Sequence, residues 1–247
     1  HTRLGTMAAT LGVMRMALAQ AAHHVSGRRA FQKTLIDQPA MRAVIADLAL
    51  EYEAAVVLAT RTARAFGDLD PQGRAFARLA VALGKYWLTK RCPGFVFECM
   101  ECHGGVGYVE ETPMPRLFRE SPLNAIWEGS GNVIALDILR TLAREPEALA
   151  AWRAEVEAAR GVSRILDAAA DQLTSILDRG AVGEGEARWV AERMALVLQG
   201  ALLVRHAPAA VAEAFVGSRL GEDRSAFYGA FARAPDIAAI VARQLPA

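Results

Sequence analysis

Apolar residues recur at every third or fourth position from the start of the chain, the spacing of one helix face. Met7, Leu11, Met14 and Leu18 predict a helix capped by Thr2 and running to about His24. The stretch VSGRRAFQKTLIDQP then reads as a loop ended by Asp37 or Gln38, with Pro39 in the first turn of the next helix. That helix spans about 39 to 67 and aligns Met41, Ile45, Leu48 and Tyr52 on one side. Asp70 and Pro71 open another, carrying Phe76, Leu79, Leu83 and Tyr86 or Trp87. Pro93 is expected to break or restart it, and a short helix over about 94–103 stops at Gly104-Gly105. Four helices in about a hundred residues, joined by short to moderate connections, predict an all-α fold built on an antiparallel four-helix bundle.

The periodicity then lapses. Residues 104–132 are rich in Gly, Pro and Asn, with one probable turn of helix at PMPRLFRES. Long irregular crossings inside compact helical proteins commonly carry function. Asn132 is expected to cap the helix VIALDILRTLARE. From Glu147 onward further helices are expected at about 147–160, 162–179, 184–206, 207–219 and 222–244, with a hinge or loop at Gly180–Gly185. The pattern divides the chain into a bundle domain, 1–146, and a helical carboxy-terminal extension, 147–247.

Composition narrows the classes. An apolar fraction of 53% is ample for a buried core, and a net charge of +1 gives no whole-chain reason to expect nucleic acid. Twenty-five of the basic residues are arginine; only Lys33, Lys85 and Lys90 are lysine. Residues 150–247 hold eleven arginines, no lysine and twelve acids, so no basic block stands out. Cys92, Cys99 and Cys102 are odd in number, which argues against a disulfide framework, and CMEC has no second pair to complete a zinc site. They are expected to be reduced and partly buried, as in a cytoplasmic protein. There is no run of about 18 apolar residues and no signal peptide, so no membrane association is expected. The opening HTRLGTM enters helix almost at once, as an internal start of a longer chain would.

The candidate chemistry centres on IWEGSGN, residues 126–132. Glu128 lies four residues before a helix N-terminus, where exposed N–H groups and the helix dipole favour negative ligands. Gly129 and Gly131 let backbone approach a ligand, and Ser130 and Asn132 add a hydroxyl and an amide. These residues suit a general base beside a phosphorylated cofactor; they equally suit a solvated turn. Gly104-Gly105 could line a ligand or simply stop a helix. Arg28, Arg29 and Phe31 could clamp a diphosphate or pair with loop acids.

CHGGVGYVEETPMPRLFRESPLNAIWEGSGNVIALDILR, with TR at 2–3, RRAFQK at 28–33 and DQPAMRAVIADLA in the same order, closely resembles the carboxy-terminal helical domain of the acyl-CoA dehydrogenase superfamily. PMPRLFRE…NAIWEGSGNV looks most like the bacterial alkylation-damage adaptive-response branch. The resemblance covers residues 1–145 and extends into the tail in that branch.

The resemblance implies an FAD-dependent oxidoreductase acting on acyl-CoA thioesters, in which a glutamate removes the alpha proton and the beta hydride passes to flavin. Glu128 matches that base and Arg3 an arginine near it. Ser130 and Asn132 match positions that meet the ADP portion of FAD. Gly104 and Gly105 match a glycine pair close to the FAD of a neighbouring subunit, and Arg28 and Phe31 match a motif that contacts cofactor across a dimer. The resemblance thus implies a homo-oligomer, a dimer of dimers, with an electron-transferring flavoprotein as electron acceptor. The adaptive-response branch adds an alternative: a flavoprotein that binds duplex DNA through its tail, with weak or no dehydrogenase turnover. Arg188, Arg193, Arg205 and Arg219 are the arginines expected to line such a face. Gln32 replaces a glycine of the family motif, so a different local turn is expected there; Glu101 replaces a glutamine and Pro39 a polar residue. Family enzymes also carry an amino-terminal helical domain and a small β domain, which these residues do not include. The chain by itself is therefore expected to hold flavin and substrate weakly.

Overall fold

The computed structural model describes residues 1–68, 70–180, 182–222 and 224–245. Three long helices, α1 (Thr2–Gly27), α2 (Pro39–Gly67) and α3 (Pro71–Glu101), carry most of the core. Met7 sits against Gly84, and the rings of His24 and His103 stack 4.7 Å apart, so α1 and α3 run parallel. The fourth bundle helix is α6 (Gly131–Arg144). Its Gly131 lies beside Lys90 and its Asp137 meets Arg78, so it descends antiparallel to α3. The expected bundle is present, with a fourth member taken from beyond residue 130 and not from the first hundred residues.

Helix starts follow the local chemistry. Gln38 precedes Pro39 at the head of α2, and the Asp70 carboxylate accepts from Gly73 N–H at 2.8 Å to cap α3. Pro93 neither breaks nor restarts α3, which continues to Glu101. Proline costs an interior helix a hydrogen bond. Here Cys92, Phe95, Val96 and Cys99 are buried around it, and their packing carries the helix across. Asn132 is not the cap of α6; Ser130 occupies that position.

The stretch expected as a loop after α1 folds into a hairpin, β1 (Arg29–Ala30) paired antiparallel with β2 (Lys33–Thr34). Phe31 and Gln32 form its two-residue turn with φ of 52° and 68°. Both central residues are left-handed, as the strand twist of a tight hairpin demands. Gln32 therefore adopts the left-handed conformation that glycine favours, at a cost in strain. Residues 104–130 contain α4 (Gly105–Tyr108) and the expected short helix, α5 (Met114–Glu120).

The extension forms α7 (Pro146–Glu157), α8 (Arg164–Asp178), α9 (Ala187–His206), α10 (Ala209–Leu220) and α11 (Ile237–Ala242). Trp152 of α7 and the faces of α9 and α10 join the same buried cluster as the bundle. The helix expected over 222–244 does not form; Asp223 lies outside the described residues, and of the rest only Ile237–Ala242 is helical. A polar latch explains this. Arg219 pairs with buried Asp47 and, at 3.3 Å, with Glu51; Arg91 also meets Glu51 at 3.1 Å. Arg91 donates to Tyr228 Oη at 2.9 Å and Gly229 N–H to Asp47 at 2.8 Å, which draws residues 228–229 onto α2 and α3 in non-helical form. Burial pushes the Glu51 carboxyl up, but the guanidiniums of Arg91 and Arg219 outweigh it and hold it below the ordinary carboxylate range. No described helix is long and apolar enough to cross a membrane.

Replacing Arg219 by methionine should lower unfolding free energy by about 3 kcal/mol, because Asp47 then keeps its burial without its cation. Urea unfolding at neutral pH measures this; a loss below about 1 kcal/mol would show that the latch is not a principal support.

Candidate functional site

The turn before α6 is built around Glu128. Trp127 is anchored by its indole N–H, which donates to buried Asn124 at 2.9 Å. Glu128 has φ of 57° and Gly129 of 107°. The left-handed region costs a residue with a Cβ roughly 1 kcal/mol or more, and such strain persists only where surroundings impose it. The imposing group is Lys85. Its side chain comes from the middle of α3, is 1% exposed, and donates from Nζ to Trp127 O at 2.9 Å and to Gly129 O at 2.5 Å. The ammonium thus bridges the carbonyls on either side of Glu128.

Glu128 itself is exposed and makes no hydrogen bond or ion pair with the described residues. Its neighbours Ile126, Trp127 and Val133 are large apolar residues at least half exposed. A carboxylate is therefore presented outward from a fixed turn beside apolar surface. Arg3 is near, as expected, but donates to Asp137 at 2.6 Å. Arg78 holds the same carboxylate at 3.2 Å. Burial pushes the Asp137 carboxyl up; the hydrogen bonds from Arg3 and Arg78 outweigh it and hold it below the ordinary range. Burial, then the charge of Arg3, push the Lys85 ammonium down to about 8, while Glu128 acts the other way.

Ser130 and Asn132 are exposed at the start of α6, on the same side of the fold as Glu128 and Arg3. Lys90 and Arg188 also converge there: a Cβ on Gly131 would meet Lys90 Cε at 2.6 Å and an Arg188 Nη at 3.2 Å.

The other predicted residues lie elsewhere. Arg28 and Phe31 follow the end of α1, and Gly104 and Gly105 follow α3; the His24–His103 contact joins those two ends. Along α1, Arg3 and His24 are separated by roughly 30 Å at the helical rise of 1.5 Å per residue. One chain therefore keeps its candidate residues in two groups set apart along the bundle, one beside the middle of α3 and the start of α1, the other at the ends of α1 and α3. At the second end Phe31 is 88% exposed and Arg28 is exposed. Gly104 has φ of 63°, and a Cβ on it or on Gly105 would meet nothing within 4 Å. Open backbone, a free aromatic face and an unpaired cation are features suited to a flat, phosphorylated group such as a dinucleotide.

Lys85 was missed from the sequence. Its signal was compositional: one of three lysines in a chain that otherwise uses arginine, placed inside the apolar run VALGKYWL. The four tail arginines do not share a face. Arg193 is buried, Arg205 pairs with Glu155 at 2.6 Å, and Arg219 belongs to the latch; only Arg188 is exposed near the site. The cysteines are free and buried, and burial pushes Cys92 and Cys102 up to about 12, which leaves them unreactive thiols. A cleft of about 850 Å³ opens between α8, α10 and residues 230–236; apart from the buried Arg219, no predicted residue lines it.

A family model described as acyl-CoA dehydrogenase, C-terminal domain, matches residues 1–143. The chain is 35% identical over 215 residues to the putative acyl-CoA dehydrogenase AidB of Escherichia coli (strain K12), covering 87% of this chain and 39% of AidB. It is 30% identical over 231 residues to acyl-CoA dehydrogenase family member 11 of Caenorhabditis elegans, covering 83% of this chain and 37% of that protein. The chain thus spans about two-fifths of the length of these relatives. The crystal structure of Caenorhabditis elegans ACDH-11 in complex with C11-CoA superposes with a TM-score of 0.80 at 27% identity, over 87% of this chain and 42% of that one. An acyl-CoA dehydrogenase from Bacillus anthracis, complexed with FAD, shares the fold at 19% identity and a TM-score of 0.65, over 87% of this chain and 44% of that one. A glutamate held on a clamped turn, within a bundle and a sequence that match throughout residues 1–143, assigns the chain to the acyl-CoA dehydrogenase family through that family's C-terminal domain.

Proposed function

We propose that this chain is the base-bearing portion of an FAD-dependent acyl-CoA dehydrogenase-type oxidoreductase. The observation that carries the reading is Glu128: a carboxylate without an internal partner, fixed on a left-handed turn and aimed outward beside exposed Ile126, Trp127 and Val133. A thioester acyl chain lying on that apolar surface would bring its alpha carbon within reach of the carboxylate. Glu128 would take the alpha proton as general base, and the thioester carbonyl would delocalise the negative charge that develops. FAD, when bound, supplies the acceptor for the beta hydride, so that the acyl chain leaves as a trans-2-enoyl thioester. An electron-transferring flavoprotein would then remove the electrons. The structure of ACDH-11 with C11-CoA supports an acyl-CoA of medium length as the class to test first.

Ser130 and Asn132, with the N–H groups at the head of α6, would hold polar parts of the cofactor near Glu128. Arg28, Phe31, Gly104 and Gly105 stand at the far end of the bundle and would serve the cofactor of a second copy. Two copies arranged head to tail would each complete the other's site, which supports a dimer and, by pairing of dimers, a tetramer. Duplex DNA binding through the tail draws no support from buried Arg193, or from Arg205 and Arg219, whose charges are paired with Glu155 and with Asp47 and Glu51.

Glu128→Gln keeps size and removes the base. In the whole protein the variant should retain its FAD, while flavin reduction by a C11 acyl-CoA slows by roughly 10²–10⁴-fold, the usual share of a general base. Stopped-flow absorbance measures this; an undiminished rate would move the base to another residue. Flavin absorbance of the purified whole protein should show FAD bound, and this 247-residue chain should hold far less. A flavin-free whole protein would overturn the reading.

A further inference from the structure

We propose that Lys85 is a positioning residue for Glu128: by bridging the carbonyls of Trp127 and Gly129 it ties the peptide that enters Glu128 to the peptide that leaves Gly129 and so restrains the two left-handed residues between them. The direction of a Cα–Cβ bond is set by the peptide planes on either side of it. Trp127 O lies in the peptide before Glu128 and Gly129 O in the peptide after Gly129, so holding both on one nitrogen limits the backbone rotations of residues 128 and 129 and with them the direction in which the Glu128 side chain leaves the backbone. The two bonds, at 2.9 and 2.5 Å, span the strained residue from i−1 to i+1 and touch nothing else of the turn. This inference rests on reading Glu128 as the base.

The cost of the arrangement argues that it does more than fill space. A buried ammonium is expensive unless an anion or several dipoles hold it. Lys85 is fully buried and has no ion pair among the described residues. The charged groups that act on it are Arg3 on α1, Lys90 on its own helix and Glu128 on the turn, while the Asp137 carboxylate of α6 is paired with Arg3 and Arg78. Of the three, only Glu128 attracts it. An apolar residue of similar length would fill the same buried space without that penalty, yet would leave the carbonyls of Trp127 and Gly129 unheld and the left-handed turn without its restraint.

A consequence can be read in this chain alone. The Lys85 ammonium sits at about 8 in the fold, below the ordinary lysine value of 10.5. The unfolded chain therefore binds more protons here between those limits, and the penalty of the buried charge is relieved as pH rises. The stability of wild type relative to Lys85→Met should increase from about pH 8 towards pH 10.5, measured by urea unfolding; parallel profiles would show no buried charge at this position.

The decisive experiment uses the flavin-loaded whole protein with wild type, Lys85→Met, Lys85→Gln and Glu128→Gln. Lys85→Met should keep its FAD, its melting temperature within a few degrees and its KM for C11 acyl-CoA within about threefold. Its kcat should fall by roughly 10²-fold, the effect of displacing a reacting group by about 1 Å. Lys85→Gln, which keeps one donor group, should fall between, and it carries the comparison if the methionine variant does not fold. Amide hydrogen exchange over residues 126–131 should quicken in both variants while the rest of α3 stays protected. If Lys85→Met turns over like wild type while Glu128→Gln does not, the positioning role is overturned and the base stands. If wild type itself lacks turnover, the base reading fails; unchanged exchange over 126–131 in Lys85→Met would then overturn the clamp as well.

Discussion

Burial of α3 on every side from Val81 to Thr89 is the constraint on which the rest of the structure depends. Helices pack around it from the bundle and from the extension alike, so no polar group in that stretch can reach water. A polar group there is costly unless it finds a partner inside, and the Trp87 indole N–H has none among the described residues. Thr89 turns its hydroxyl back to the carbonyl of Lys85 at 2.7 Å. Lys85 has no such local solution, because an ammonium needs acceptors aimed at it. It finds them in the carbonyls of Trp127 and Gly129, and in doing so ties an otherwise irregular crossing to the most rigid element of the fold. Glu128 gains a fixed direction from a residue more than forty positions away.

The same packing explains why the candidate residues separate. Because α1 and α3 are parallel, their starts lie near one another and so do their ends. Arg3 thus belongs with Glu128, and the Arg28–Phe31 hairpin with Gly104 and Gly105. Each end carries strain: Glu128 at one, Phe31 and Gln32 at the other. Strained backbone that tertiary contacts hold in place is a common mark of functional positions.

The extension shares the bundle's interior. Arg61 lies over the ring of Phe76 and pairs with Glu155, which also takes Arg205, so α2, α7 and α9 meet on one carboxylate. Arg219 and Arg91 do the same for residues 228–229 through Asp47 and Glu51. These pairs take up Arg205 and Arg219, two of the four tail arginines that might otherwise have formed a cationic face. Arginines counted along a sequence are thus a weak guide to surface potential.

Local chemistry was legible in the sequence wherever neighbouring residues decide it. The span of α2, the Asp70 cap and the short helix at Met114–Glu120 followed from spacing, proline position and capping. The all-α class and the glycine turn in IWEGSGN were legible for the same reason: each is decided within a few consecutive residues. What depended on distant partners was not. Pro93 stays inside α3 because buried neighbours outweigh a lost hydrogen bond. Gln32 keeps a glycine-like turn because paired strands demand it. Most of the expected last helix is absent because Asp47 and Arg91 hold Gly229 and Tyr228. Lys85 reads in the sequence as one cation in an apolar stretch, and only packing brings it beneath the turn. The sequence by itself determined helical content and set Glu128 in a glycine-flanked turn; the tertiary structure alone decided how that turn is held, because its hydrogen bonds come from a helix that no local pattern places beside it.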